Sequence, residues 1–72
     1  MEESLKNRIL NYLRQWASVD KEKWISGGEI EDLAREVGRK ASNASRRCRE
    51  LSEEGLVERK IERGFVWYRY EH

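Results

Sequence analysis

The chain has no proline and only one each of cysteine, methionine, phenylalanine and histidine. Each shortage excludes something. Cys48 alone can build neither an intramolecular disulfide nor a cysteine metal cage. His72 is the last residue and has no second histidine near it, so it reads as a tail or the remnant of a tag. Ser42 and Ser45 therefore have no imidazole to activate them as nucleophiles. Glu53 and Glu54 are neighbours in one predicted helix and would not face each other across a cleft. No enzyme signal is present, and no cofactor, metal or small-molecule ligand is expected. No apolar run approaches the length of a membrane span. The amino-terminal segment is charged and amphipathic, unlike a secretory signal. A cytoplasmic or nucleoid-associated protein is the expectation.

What is present is charge. Charged residues make up 40% of the 72 residues and hydrophobic ones 38%, enough for one domain with a small core under a polar surface. The formal net charge of +1 announces no polyanion partner. Its distribution is more informative. From Arg35 to Arg49, six bases (Arg35, Arg39, Lys40, Arg46, Arg47, Arg49) stand against Glu36 alone. From Glu50 to Glu54 there are three acids and no base. Local field steers a polyanion more than net charge does.

With proline absent, glycine punctuates the chain at Gly27-Gly28, Gly38, Gly55 and Gly64. A first helix is predicted over about 3–17, from Glu3, with Leu5, Ile9, Tyr12, Leu13 and Trp16 on its inner face. A polar loop follows over 18–23, and Trp24-Ile25 suits a very short strand. Ser26-Gly-Gly-Glu29 has the form of a capping box, in which the serine caps the first turn and the glutamate reaches back. It opens a second helix over about 27–37, with Ile30, Leu33, Ala34 and Val37 inward, stopped by Gly38. A third helix is predicted over about 41–54. Steps of 100° put Ala44, Cys48 and Leu51 on one side and Ser42, Arg46, Arg49 and Glu53 on the other. Gly55 fits a left-handed cap, with Leu56 returning to Leu51.

A hairpin over about 56–71, turning at Arg63-Gly64, pairs Ile61 with Val66, Arg59 with Tyr68 and Val57 with Tyr70 on the core side. The outer face then pairs Glu62 with Phe65, Lys60 with Trp67 and Glu58 with Arg69, and opposite charges across the strands support that register. The fold class is α+β.

This order of helix, short strand, helix, helix and hairpin resembles the winged helix-turn-helix family. The likeness is to the small prokaryotic, archaeal or viral regulator type. Its densest part is ISGGEIEDLAREVGRKASNASRRCRELSEEGLVERK, from Ile25 to Lys60. Cys48-x-x-Leu51 matches the pattern along the recognition helix, Gly55-Leu56-Val57 its end, and Val57 to Glu71 the wing. The chain departs from the family at Arg39 and Lys40, where an apolar residue and a Ser or Thr cap are common. Lysine cannot accept the capping bond, which leaves Ser42 as the nearest residue able to cap. An aromatic on this helix marks a branch that binds left-handed DNA; Arg49 stands near that place and sets the branch aside.

The resemblance implies sequence-specific double-stranded DNA binding by a transcriptional regulator. Helix 41–54 would enter the major groove, and the 57–71 hairpin would lie on the backbone or minor groove. Arginine is the usual reader of guanine and asparagine of adenine. Arg46 is the first candidate for a base edge, then Asn43 and Arg49, with Ser42 and Ser45 on the same face. Arg47 flanks the inward stripe and points sideways to phosphate; Arg39 and Lys40 are also placed to meet phosphate. Lys60, Arg63 and Arg69 are the backbone candidates of the hairpin, although Arg63 could be only a turn residue and Arg69 only a partner of Glu58. Trp67 is expected on the outer face beside Lys60, as a cation–π pair, a DNA contact or a partner contact; a one-residue slip would make it core. Cys48 is packing. A homodimer partner through the first helix, or a larger protein assembly, stays open. So do two other functions: a winged-helix protein-interaction module, and a binder of structured RNA.

Overall fold

The computed structural model describes residues 4–71. Glu3, the expected start of the first helix, and His72 lie outside the described residues. Helix α1 runs Leu5–Val19, with the Ser4 hydroxyl accepting from the Asn7 N–H at 3.1 Å. Ser18 and Val19, expected in a loop, continue the helix. Then come β1 (Ile25–Ser26), α2 (Gly27–Glu36), α3 (Ala41–Glu53), β2 (Val57–Glu62) and β3 (Phe65–Tyr70). The three strands form one antiparallel sheet in the order β1-β3-β2. All six expected hairpin pairs occur, from Val57 opposite Tyr70 to Glu62 opposite Phe65. On the far side of β3, Ile25 faces Tyr68 and Ser26 faces Trp67.

One core joins every element. Leu5, Ile9 and Leu13 of α1 meet Ile30 and Ala34 of α2, Ala44, Cys48 and Leu51 of α3, and Ile25, Val57 and Tyr68 of the sheet. Tyr12, Trp16 and Leu33 pack at its margin. Val37, expected inward, is 38% exposed. It is the C-cap of α2 at φ −106°, already off the helical path, so the step that would carry it inward no longer applies.

Both α2 and α3 end in Schellman motifs. Arg39 N–H donates to Ala34 O at 2.9 Å and Gly38 N–H to Arg35 O at 3.0 Å. Leu56 N–H donates to Leu51 O at 3.0 Å and Gly55 N–H to Ser52 O at 3.1 Å. Gly38 and Gly55 supply the left-handed residue at φ +74° and +77°. Leu56 itself is exposed, so backbone bonds define this ending. The capping box of α2 is only half formed. Ser26 Oγ accepts from Glu29 N–H at 3.2 Å, but the Glu29 carboxylate accepts from the Tyr12 hydroxyl at 2.9 Å, tying α2 to α1.

Cys48 is fully buried, and burial pushes its thiol up to about 12 against an ordinary 9.0, with Arg59 pulling weakly the other way. The folded chain keeps this proton over a range in which the unfolded chain releases it. Stability is therefore expected to fall as pH rises from about 9 towards 12, by up to ~1.4 kcal/mol per pH unit. Burial also raises Tyr12 and Tyr68, which add to the loss at higher pH. Cys48→Ala should flatten the first part of this alkaline limb. Urea midpoints at several pH values from about 8 to 11 check it; an unchanged slope would refute the assignment to Cys48.

Candidate nucleic-acid interface

Burying Ala44, Cys48 and Leu51 turns the opposite side of α3 to solvent. Ser42, Ser45, Arg46, Arg49 and Glu53 are all exposed there. Asn43 and Arg47 are half-buried and flank this face. With Lys6 and Arg39 they line a shallow groove against the start of α1. On another side, Ala44, Ser45 and Cys48 border a cleft of about 480 Å³ that is also lined by Gly27-Gly28, Gly64 and Phe65. Gly64 and Phe65 of the hairpin tip and Ser45 of α3 thus border one hollow.

Ion pairing divides the basic residues into two groups. Arg47 Nη1 donates to both carboxylate oxygens of Glu50 at 2.7 Å. Lys60 pairs with Glu62 at 3.0 Å, and Arg69 pairs with Glu58 and, at 3.2 Å, with Glu22. Lys6 pairs with Glu54. Arg39, Lys40, Arg46, Arg49 and Arg63 are exposed and form no ion pair among the described residues. Pairing also quiets the acidic end of α3: Glu50 and Glu54 are neutralised, leaving Glu53 as the outward acid.

Two of the unpaired cations occupy positions that ordinarily take other residue types. Lys40 is the N-cap of α3, at φ −77° and ψ 148°, and makes no side-chain capping bond. Ser42 lies within the first turn and does not cap, because the chain is already helical at Ala41. The helix begins where expected but with its first N–H groups uncapped by any side chain. Arg63 sits at φ +54° and Gly64 at φ +81°. Positive φ at both central residues is the hairpin turn that Asn-Gly fits best.

No protein-family model, curated protein or solved structure matches this chain.

The outer face of the sheet differs from expectation. Lys60 stands opposite Trp67 in the sheet, but its amine lies over the Trp24 ring, 4.4 Å from its centroid. The Arg69 guanidinium lies 4.3 Å from the same ring. β1 enters beside β3, which brings Trp24, the residue before it, to both cations. Trp67 is half-buried, and its indole N–H is enclosed without a partner. Arg69 and Lys60 thereby contact both Trp24 and acids, Arg69 pairing with Glu58 as the hairpin register implies. Trp24 was expected only as part of a short strand and in the core, and Glu22 only in a polar loop; their partners are more than thirty positions away, beyond any local pattern. No helix of the described residues is long and apolar enough to cross a membrane.

Proposed function

We propose that this chain is a winged helix-turn-helix module that binds double-stranded DNA sequence-specifically as a transcriptional regulator. The amino half of α3 enters the major groove, and the hairpin tip meets the backbone or minor groove. One observation carries this reading. Lys40 stands at an N-cap that favours Ser, Asp or Asn, and Arg63 at a left-handed turn position that favours Asn or Gly. Both are exposed cations without an ion pair. A local rule broken twice, each time in favour of positive charge, points to a polyanion and away from folding as the reason. Arg46 and Arg49 support it, being exposed on the outward face and in no ion pair among the described residues. The uncapped amino end of α3 adds the positive pole of its dipole.

The test is fluorescence anisotropy of labelled duplexes drawn from a random pool, over a range of salt. Binding should weaken with a log–log salt slope of roughly −3 to −5, as four or five phosphates are met. Arg46→Ala should cost about 1–3 kcal/mol on preferred duplexes and less on random ones. Equal loss on every duplex would end the base-reading role of Arg46. No salt-sensitive binding even at low salt would end the whole reading and favour a protein partner.

A further inference from the structure

The hairpin tip is apolar on both faces as well as basic. Ile61 is 64% exposed and Phe65 is 66% exposed, although hydrophobic side chains of this size are ordinarily covered. They straddle the two-residue turn, Ile61 on the face of Val66 and Tyr68, Phe65 on the face of Glu62. Neither belongs to the core or packs against it. The fold gives no reason for them.

Resting on the DNA-binding reading above, we propose a further activity: the tip is a wedge that inserts Phe65 between stacked base pairs from the minor groove and bends the duplex. Phe65 presents a flat ring, the shape that an opened base step accepts. Ile61, on the opposite face of the ribbon, rests against the sugar wall. Arg63 stands between them in the turn, exposed and in no ion pair among the described residues. The single acid at the tip, Glu62, is neutralised by Lys60 at 3.0 Å, so nothing there repels phosphate. The occupant is identified by charge. Arg63 lies in the turn between Ile61 and Phe65, so a partner that reaches Phe65 also meets an exposed cation. A polyanion with stacked rings satisfies both; an apolar protein or lipid surface would leave this arginine unanswered. Flexible pyrimidine–purine steps are the preferred point of entry, because they unstack at least cost.

The experiment uses duplexes retained by the whole chain from a random pool. They carry a donor and an acceptor dye at their ends, or 2-aminopurine at a pyrimidine–purine step. The parent chain should shorten the end-to-end distance by an amount equivalent to a bend of about 20–90° and brighten the unstacked 2-aminopurine. Phe65→Ser should abolish both signals while reducing affinity less than about tenfold, and Ile61→Ser should reduce them partly. Both side chains are largely exposed, so both variants should fold like the parent. Binding with no bend and no change in emission overturns the wedge and leaves the groove reading intact. No duplex retained from the pool overturns both. If Phe65→Ser instead turns a dimer into a monomer in sedimentation and leaves the bend unchanged, the patch joins two copies of the chain and the wedge is wrong.

Discussion

The double variant Lys40→Asp/Arg63→Asn is expected to fold more tightly than the parent chain and bind duplex DNA about a hundredfold more weakly. The stability gain has two sources. Aspartate at position 40 finds extended backbone ready for an N-cap, and a first turn of α3 that no side chain caps. Its carboxylate would accept from the Ser42 N–H, or share the Asn43 N–H that donates to the residue 40 carbonyl at 3.0 Å, and meet the positive end of the helix dipole, worth about 1 kcal/mol. Asparagine at position 63 tolerates positive φ better than arginine and completes an Asn-Gly turn, worth up to about 1 kcal/mol more. In a chain of this size the sum raises Tm by roughly 5–12 °C. The binding loss comes from charge. One cation becomes an anion and a second becomes neutral, which removes about 2–3 kcal/mol of phosphate attraction at low salt. Thermal melts and anisotropy on the same samples decide it. Higher Tm with unchanged affinity would mean that neither cation touches DNA. Lower Tm would mean that the two backbone positions have been misjudged.

Ile9→Ala is expected to remove a large part of the chain's stability. Ile9 has no exposed surface, and its helix packs on both α3 and β3. Truncating a buried isoleucine costs about 2–5 kcal/mol through lost burial and the cavity left behind. A chain of this length has a total stability of only about 4–10 kcal/mol, so one such cavity removes a large part of it. Urea unfolding followed by circular dichroism should place the midpoint about 2 M lower than in the parent, or show no folded baseline. The same truncation at Ile61 should shift the midpoint very little, since that side chain is mostly in water already. A mild effect at Ile9 would mean that the three-helix core closes over the gap.

Much of the architecture could be read in advance, for identifiable reasons. The stripe Ala44, Cys48, Leu51 follows a helical period with polar residues between. Gly55 and Gly64 mark places where the backbone can take the positive φ that a helix end or a tight turn needs. Once the turn is set at Arg63-Gly64, every hairpin pair follows by counting. The errors have a common cause. Val37 was assigned by continuing a period past the point where the helix stops. Glu29 was assigned to its own helix, but Tyr12 of α1 competes for the carboxylate. Lys60 was assigned to its cross-strand neighbour, yet a long flexible amine reaches the ring of Trp24 instead. The same limit applies to the candidate interface. The sequence sets Arg47 beside the inward stripe and Arg69 opposite Glu58, apart from Arg46 and Arg49 on the outward face. What it does not show is the reach of Arg69 to Glu22 and of Lys6 to Glu54, which tertiary geometry decides.

Ser26 belongs to two elements at once. Its backbone is the partner of Trp67 in the sheet, and its hydroxyl caps α2. A linker residue between strand and helix would act as a slack joint; here there is none. Tilting the hairpin at one end must therefore drag the first turn of α2 with it, and pushing on α2 must move β3. The molecule behaves at this corner as a rigid crank, so a load applied at the tip is felt across the sheet by a helix that the tip itself need never touch.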